Sequence, residues 1–96
     1  MLSLKDASKG FSAVGSEPRL SVLLTLVKVG PKGLTIGEIQ KELDIPASTL
    51  AHHLRLLEAS NLIKQEKQGR EVTCSANYQN VKTLADYLLH ECCSEI

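Results

Sequence analysis

Tryptophan is absent from this 96-residue sequence, and the other aromatics are limited to one phenylalanine and two tyrosines. The core must therefore be built from Leu, Val, Ile and Ala, and so thin a core in so short a chain gains stability by dimerising. Net charge is also lacking: eleven basic residues balance eleven acidic ones. That balance removes the whole-molecule positive field on which many nucleic-acid binders rely, so any affinity for DNA has to come from local patches. No long apolar run is present, and Met1 to Gly15 mixes Lys5, Asp6 and Lys9 with apolar residues, unlike a signal peptide or a membrane span. The three cysteines, Cys74, Cys92 and Cys93, are an odd number without a secretory signal. They are expected as reduced thiols in a cytoplasmic protein with no membrane partner. There is no glycine-rich phosphate loop, no pair of catalytic carboxylates and no nucleophile beside a base, so the sequence does not describe an enzyme. One domain over residues 1–96 is the expected organisation.

What is present is a succession of helix signals followed by one change of period. A short helix fits within Leu2 to Val14. The next segment, Ser16 to Val29, opens with Ser16 as N-cap and Pro18 in the first turn, then places Leu20, Leu23, Leu24 and Val27 at helical spacing before Gly30-Pro31 ends it. Thr35-Ile36-Gly37-Glu38 is a capping box that starts a helix with Ile36, Ile39 and Leu43 inward. Asp44-Ile45-Pro46 breaks that helix, and another follows at once. It carries Leu50, His53, Leu54 and Leu57 on one stripe, with Ser48, His52, Arg55 and Ala59 on the other. Two short helices across a tight break, over residues 35–60, read as a helix-turn-helix. Over residues 62–76 the period becomes that of a strand, with Gly69-Arg70 as the turn and Val72, Cys74 and Ala76 alternating. A terminal helix over residues 77–96 aligns Val81, Leu84, Ala85, Leu88, Leu89 and Cys92 in a wide apolar stripe. The fold class is mainly α with a small β-hairpin: a winged helix-turn-helix with about five helices.

In such a fold the second helix of the pair enters the major groove, leading with its N-terminal residues. Ala47, Ser48, Thr49 and His52 hold that outward leading position, and Arg55 can reach a phosphate farther along. On the hairpin, Lys64, Lys67 and Arg70 are the cations available to the DNA backbone or a minor groove, with Glu66 and Glu71 diluting them. The partner implied is double-stranded DNA. A hairpin that merely solvates its charges, on a winged-helix module that binds protein, is the competing reading.

The segment from Pro31 to Ile63, PKGLTIGEIQKELDIPASTLAHHLRLLEASNLI, resembles the helix-turn-helix of the ArsR family of transcriptional repressors. SEPRLSVL before it and SANYQNVKTLADYLLHECC after it are similar to the same family's preceding and final helices. The resemblance implies a homodimer through the first and last helices, here residues 1–15 and 77–96. It also implies an inverted-repeat operator bound in the ligand-free state and release by an inducer. His53 matches a family position that packs toward the domain, which leaves His52 as the DNA contact. The two rings diverge by about 100° on a helix, a poor chelate for one metal.

The adjacent Cys92 and Cys93 admit three accounts. Cys92 can serve as a small hydrophobe that completes the terminal stripe. The pair can be a soft-ligand site: YLLHECC resembles the ArsR branch whose terminal Cys-Cys pair responds to trivalent arsenic or antimony. Third, the two thiols can act as a redox switch. No cofactor is expected to be required, with trivalent arsenic or antimony as inducer. The family's Cys-x-Cys within the helix-turn-helix is missing here, since Pro31 to Ile63 contains no cysteine. Cys74 is the one spare thiol, and Cys92 lies about 17 Å along the final helix from its start, remote from the strand that carries Cys74. Zinc ranks below arsenic, because Asp86 and His90, four apart, are the main ligands this helix offers.

Overall fold

The computed structural model describes residues 2–90; Cys92 and Cys93 lie outside the described residues. Side-chain oxygens start the first three helices. Ser3 Oγ accepts from the Asp6 N–H at 3.0 Å to open α1 (Leu4–Val14), and Ser16 Oγ accepts from the Arg19 N–H to open α2 (Glu17–Val29). Both satisfy amides that would otherwise lack a partner. Thr35 opens α3 (Ile36–Leu43) with a complete capping box: the Glu38 N–H donates to Thr35 Oγ1 at 3.1 Å, and the Thr35 N–H donates to Glu38 Oε1 at 2.9 Å. Asp44 ends α3 in the left-handed region at φ 52°. Ile45-Pro46 then turns the chain into α4 (Ala47–Ala59).

The wing is a hairpin of β2 (Ile63–Gln68) and β3 (Glu71–Ala76), paired from Ile63↔Ala76 to Gln68↔Glu71. Gly69, at φ 64°, takes the first position of the two-residue loop. The sequence pattern indicates only this hairpin, but the sheet has a third strand, β1 (Leu34–Thr35), antiparallel to β3 with Leu34 opposite Cys74. Two residues are too few to show a period of two, so β1 leaves no trace in the hydropathy pattern. The turn leading into it, Pro31-Lys32 between Gly30 and Gly33, closes with the Gly33 N–H donating to the Gly30 carbonyl at 3.1 Å. α5 (Tyr78–His90) completes the chain as described.

The core lies where α2 meets α4 and the inner face of the sheet. Val22, Leu23 and Leu26 of α2 pack with Leu50, Leu54 and Leu57 of α4, Ile39 of α3, and Ile63 and Cys74 of the sheet, all buried. Each fully buried aliphatic side chain contributes roughly 1.5–3 kcal/mol, so the contact of α2 with α4 is a main source of the domain's stability. On α2 the buried stripe differs from the one expected. Leu20 and Leu24 are exposed and Val22 and Leu26 are buried, because a helix apolar nearly all round does not announce its inner face. The α4 stripe follows the spacing as expected, with Leu50, His53, Leu54 and Leu57 all buried.

Two side chains tie the outer helices to this core. The Arg19 guanidinium donates to the Ala13 carbonyl at 2.7 Å and so caps the C-terminus of α1. Tyr78 donates its hydroxyl to the Val27 carbonyl at 3.1 Å, which docks the start of α5 on the end of α2. Farther along, α5 is apolar without being covered: Leu84 is buried, whereas Leu88 and Leu89 are 63% and 67% exposed. Leu4 on α1 is 76% exposed. Among the described residues, no helix is long and apolar enough to cross a membrane.

Candidate nucleic-acid interface

The recognition surface begins at the N-terminus of α4. Pro46 occupies the N-cap, supplies no side-chain acceptor and has no N–H of its own, and the first turn contains no acidic residue. The first intrahelical bond is Leu50 N–H to Pro46 O, which leaves the amides of Ala47, Ser48 and Thr49 directed outward. An uncapped helix start of this kind attracts a phosphate through both its free amides and its dipole. The capped start of α3 offers no equivalent.

Ala47, Ser48, Thr49, His52 and Arg55 are all exposed on α4, with the buried stripe opposite them. Arg55 Nη2 lies 3.1 Å from His52 Nδ1. A guanidinium can only donate, so Nδ1 accepts and the imidazole carries its proton on Nε2. In that tautomer His52 presents a donor at Nε2, of the kind that pairs with a guanine edge or a phosphate oxygen.

His53 behaves in the opposite way. Its ring is buried at 8% exposure, and Nδ1 has no hydrogen-bond partner. Burial first, then the charges of Arg19 and His52, hold its imidazole below the ordinary value of 6.5. The unfolded chain thus takes up this proton before the folded one does. The associated stability is present above pH 6.5 and is lost as pH falls through 6.5 toward the lower folded value. Urea midpoints at about pH 7.5 and 5.5 should show the wild type weakening with acid and His53→Gln weakening less. An equal loss in both would remove His53 as the cause.

The wing divides its cations. Lys64 and Lys67 are three apart on a strand, so they point to opposite faces. Lys64 shares the outer face with Glu66 and Gln68, and Lys67 lies on the side of Gln65, toward the helices. Arg70 stands exposed in the loop beside Gly69. Gln65 donates to Glu58 Oε1 at 3.2 Å and so links the hairpin to α4. Cys74 is fully buried, and burial followed by the Glu58 charge pushes its thiol up to about 11. A thiol so placed is neither nucleophilic nor available as a metal ligand. Asp86 is engaged by Lys82 at 2.6 Å. Among the described residues no group of three or more His, Cys, Asp or Glu is placed to hold a metal ion.

A helix pair with a buried stripe, an exposed polar leading edge and a β-hairpin wing define a winged helix-turn-helix DNA-binding protein. Comparison with known proteins makes the assignment specific. The family described as helix-turn-helix domain matches residues 14–66, and the chain belongs to it, as an ArsR-type transcriptional regulator. The chain is 32% identical over 69 residues to an HTH-type transcriptional regulator of Methanocaldococcus jannaschii, covering 72% of this chain and 75% of that protein. It is 28% identical over 81 residues to the cadmium resistance transcriptional regulatory protein CadC homolog of Staphylococcus aureus, covering 84% of this chain and 65% of that protein. Among solved structures, an ArsR family transcriptional regulator superposes with a TM-score of 0.79 at 27% identity, covering 94% of this chain and 90% of that one.

Proposed function

We propose that the chain acts as a homodimeric repressor on an inverted-repeat operator and leaves it when a thiophilic ion binds Cys92 and Cys93. The observation that carries the DNA-binding half is the exposed row Ser48, Thr49, His52 and Arg55 at an uncapped helix start. The apolar face on α1 and α5, exposed at Leu4, Leu88 and Leu89, supports pairing of two subunits through those helices. A two-fold dimer places half-sites about one helical turn, or a multiple of it, apart.

For the inducer, the chemistry of the donors is the guide. Two adjacent thiolates select soft ions such as trivalent arsenic or antimony. The relative from Staphylococcus aureus is named for resistance to cadmium, another soft ion. Cys74 cannot serve as a third ligand because its thiol is buried and protonated. Fluorescence anisotropy on duplex DNA from upstream of the chain's own gene tests both halves. Binding no tighter than to random duplex at moderate salt would overturn the repressor reading. Titration of the complex with trivalent arsenic, cadmium, zinc and oxidant, in parallel, should release DNA in the arsenic arm and not in a Cys92→Ser/Cys93→Ser variant. Release by arsenic in that variant would overturn the site.

A further inference from the structure

The charges cancel over the whole chain but not over its surface. Between α1 and the C-terminal half of α4 runs an open groove with a volume of ≈ 390 Å³. Its cations are Lys5, Lys9 and Arg19, its hydroxyls include Ser8 and Ser12, and no acidic residue lines it. Lys5 and Lys9 are one turn apart on α1 with Ser12 on the same face, so the stripe alternates charge and hydroxyl. Asp6 sits on the neighbouring flank, where it lines an adjoining cavity that shares Lys9, Ala59 and Ser60 with the groove. Among the described residues the ion pair is Lys82–Asp86, so none of the groove's cations is neutralised by a described carboxylate. Arg19 is held in place by the carbonyl at the end of α1. Unpaired cations concentrated in this way are a local excess in a protein with none overall.

The groove is continuous with the recognition row. Thr49, His52, Leu56 and Ser60 follow one another at helical spacing along one flank of α4, and the last two line the groove. We infer that this groove carries the sugar–phosphate backbone beyond the bases read by α4, with Lys5 and Lys9 as backbone contacts additional to the helix-turn-helix and wing. The inference rests on the DNA-binding reading above. A phosphate strand suits the groove because the donors are spread along a helix instead of converging on one point, as they would for a small anion. α1 also carries the exposed Leu4, so in a dimer joined there the contacted phosphates lie on the inner side of each half-site.

The test is the salt dependence of binding to the upstream duplex, measured for the wild type, Lys5→Gln/Lys9→Gln, Lys5→Arg/Lys9→Arg and Lys28→Gln. Each phosphate contact adds about 0.9 to the slope of log K against log salt. The glutamine pair should flatten the slope by about 2 per protomer and weaken binding roughly ten-fold or more at low salt. The arginine pair and Lys28→Gln, whose lysine is exposed at the far end of α2, should match the wild type. An unchanged slope for the glutamine pair, with unchanged circular dichroism, overturns the inference while leaving the repressor reading standing. Failure of the wild type itself to prefer the upstream duplex overturns that reading instead.

Discussion

Gly33→Ala is expected to destabilise the domain by about 3 kcal/mol or more, a large share of the roughly 5–14 kcal/mol available to a chain of this length. Two costs add. Gly33 sits at φ 67°, where an L side chain costs about 1–2 kcal/mol. Beyond that, a Cβ there would stand 2.2 Å from the Cys74 carbonyl oxygen, which belongs to backbone and cannot swing aside. Relief requires β1 to move away from β3, giving up the pairing of Leu34 with Cys74 that joins the helix-turn-helix to the wing. Gly69→Ala is the control. It has positive φ but nothing within 4 Å, so only the conformational cost remains. Thermal unfolding should place Gly33→Ala about 12 °C or more below the wild type, with Gly69→Ala about half as far or less. A shift for Gly33→Ala no larger than that of the control would mean that the sheet accommodates the methyl, and that β1 is not a fixed part of the wing.

The contrast between the two glycines shows which parts of this molecule can be read from its sequence. Gly69 is legible because a hairpin turn is a local event, flanked by alternating residues. Gly33 is not, because its constraint comes from a strand some forty positions later in the chain. The same division runs through the rest. The helix starts at Ser16 and Thr35 and the buried stripe of α4 follow from contacts within one or two turns, and the structure has them where the spacing puts them. The inner face of α2 does not, since Leu20, Leu23, Leu24 and Leu26 are equivalent in hydropathy and only the packing of α4 and the sheet selects Leu23 and Leu26. The basic groove was also hidden. Lys5, Lys9 and Arg19 are unremarkable in sequence and come to line one groove only when Arg19 caps α1 and α1 lies along α4. A signal was present in the spacing of Lys5 and Lys9 by four, but it carries no meaning until the facing helix is known.

On the proposed dimer, Leu88→Glu/Leu89→Glu is expected to convert the protein to a monomer and to weaken operator binding by a hundred-fold or more. Both side chains are more than half exposed, so the substitutions leave the core of one subunit untouched, and far-UV circular dichroism should not change. The effect arises because an isologous interface meets every substitution twice: two glutamates per subunit place four carboxylates across one two-fold axis. The apolar gain they replace is large enough to matter. Leu4, Leu88 and Leu89 from both subunits are six leucines. At roughly 1.5–3 kcal/mol each their full burial is worth at most about 9–18 kcal/mol, against an association cost of about 4–15 kcal/mol. Losing four of the six leaves the balance unfavourable. DNA binding follows the dimer, because a neutral subunit with few cations holds one half-site weakly and gains its useful affinity from the second attachment, a factor of about 10²–10⁴. Sedimentation and anisotropy on the same samples separate the outcomes. A monomer that binds as tightly as the wild type removes avidity from the mechanism. A variant that remains dimeric moves the interface elsewhere, to a surface such as the exposed Leu20 and Leu24 of α2.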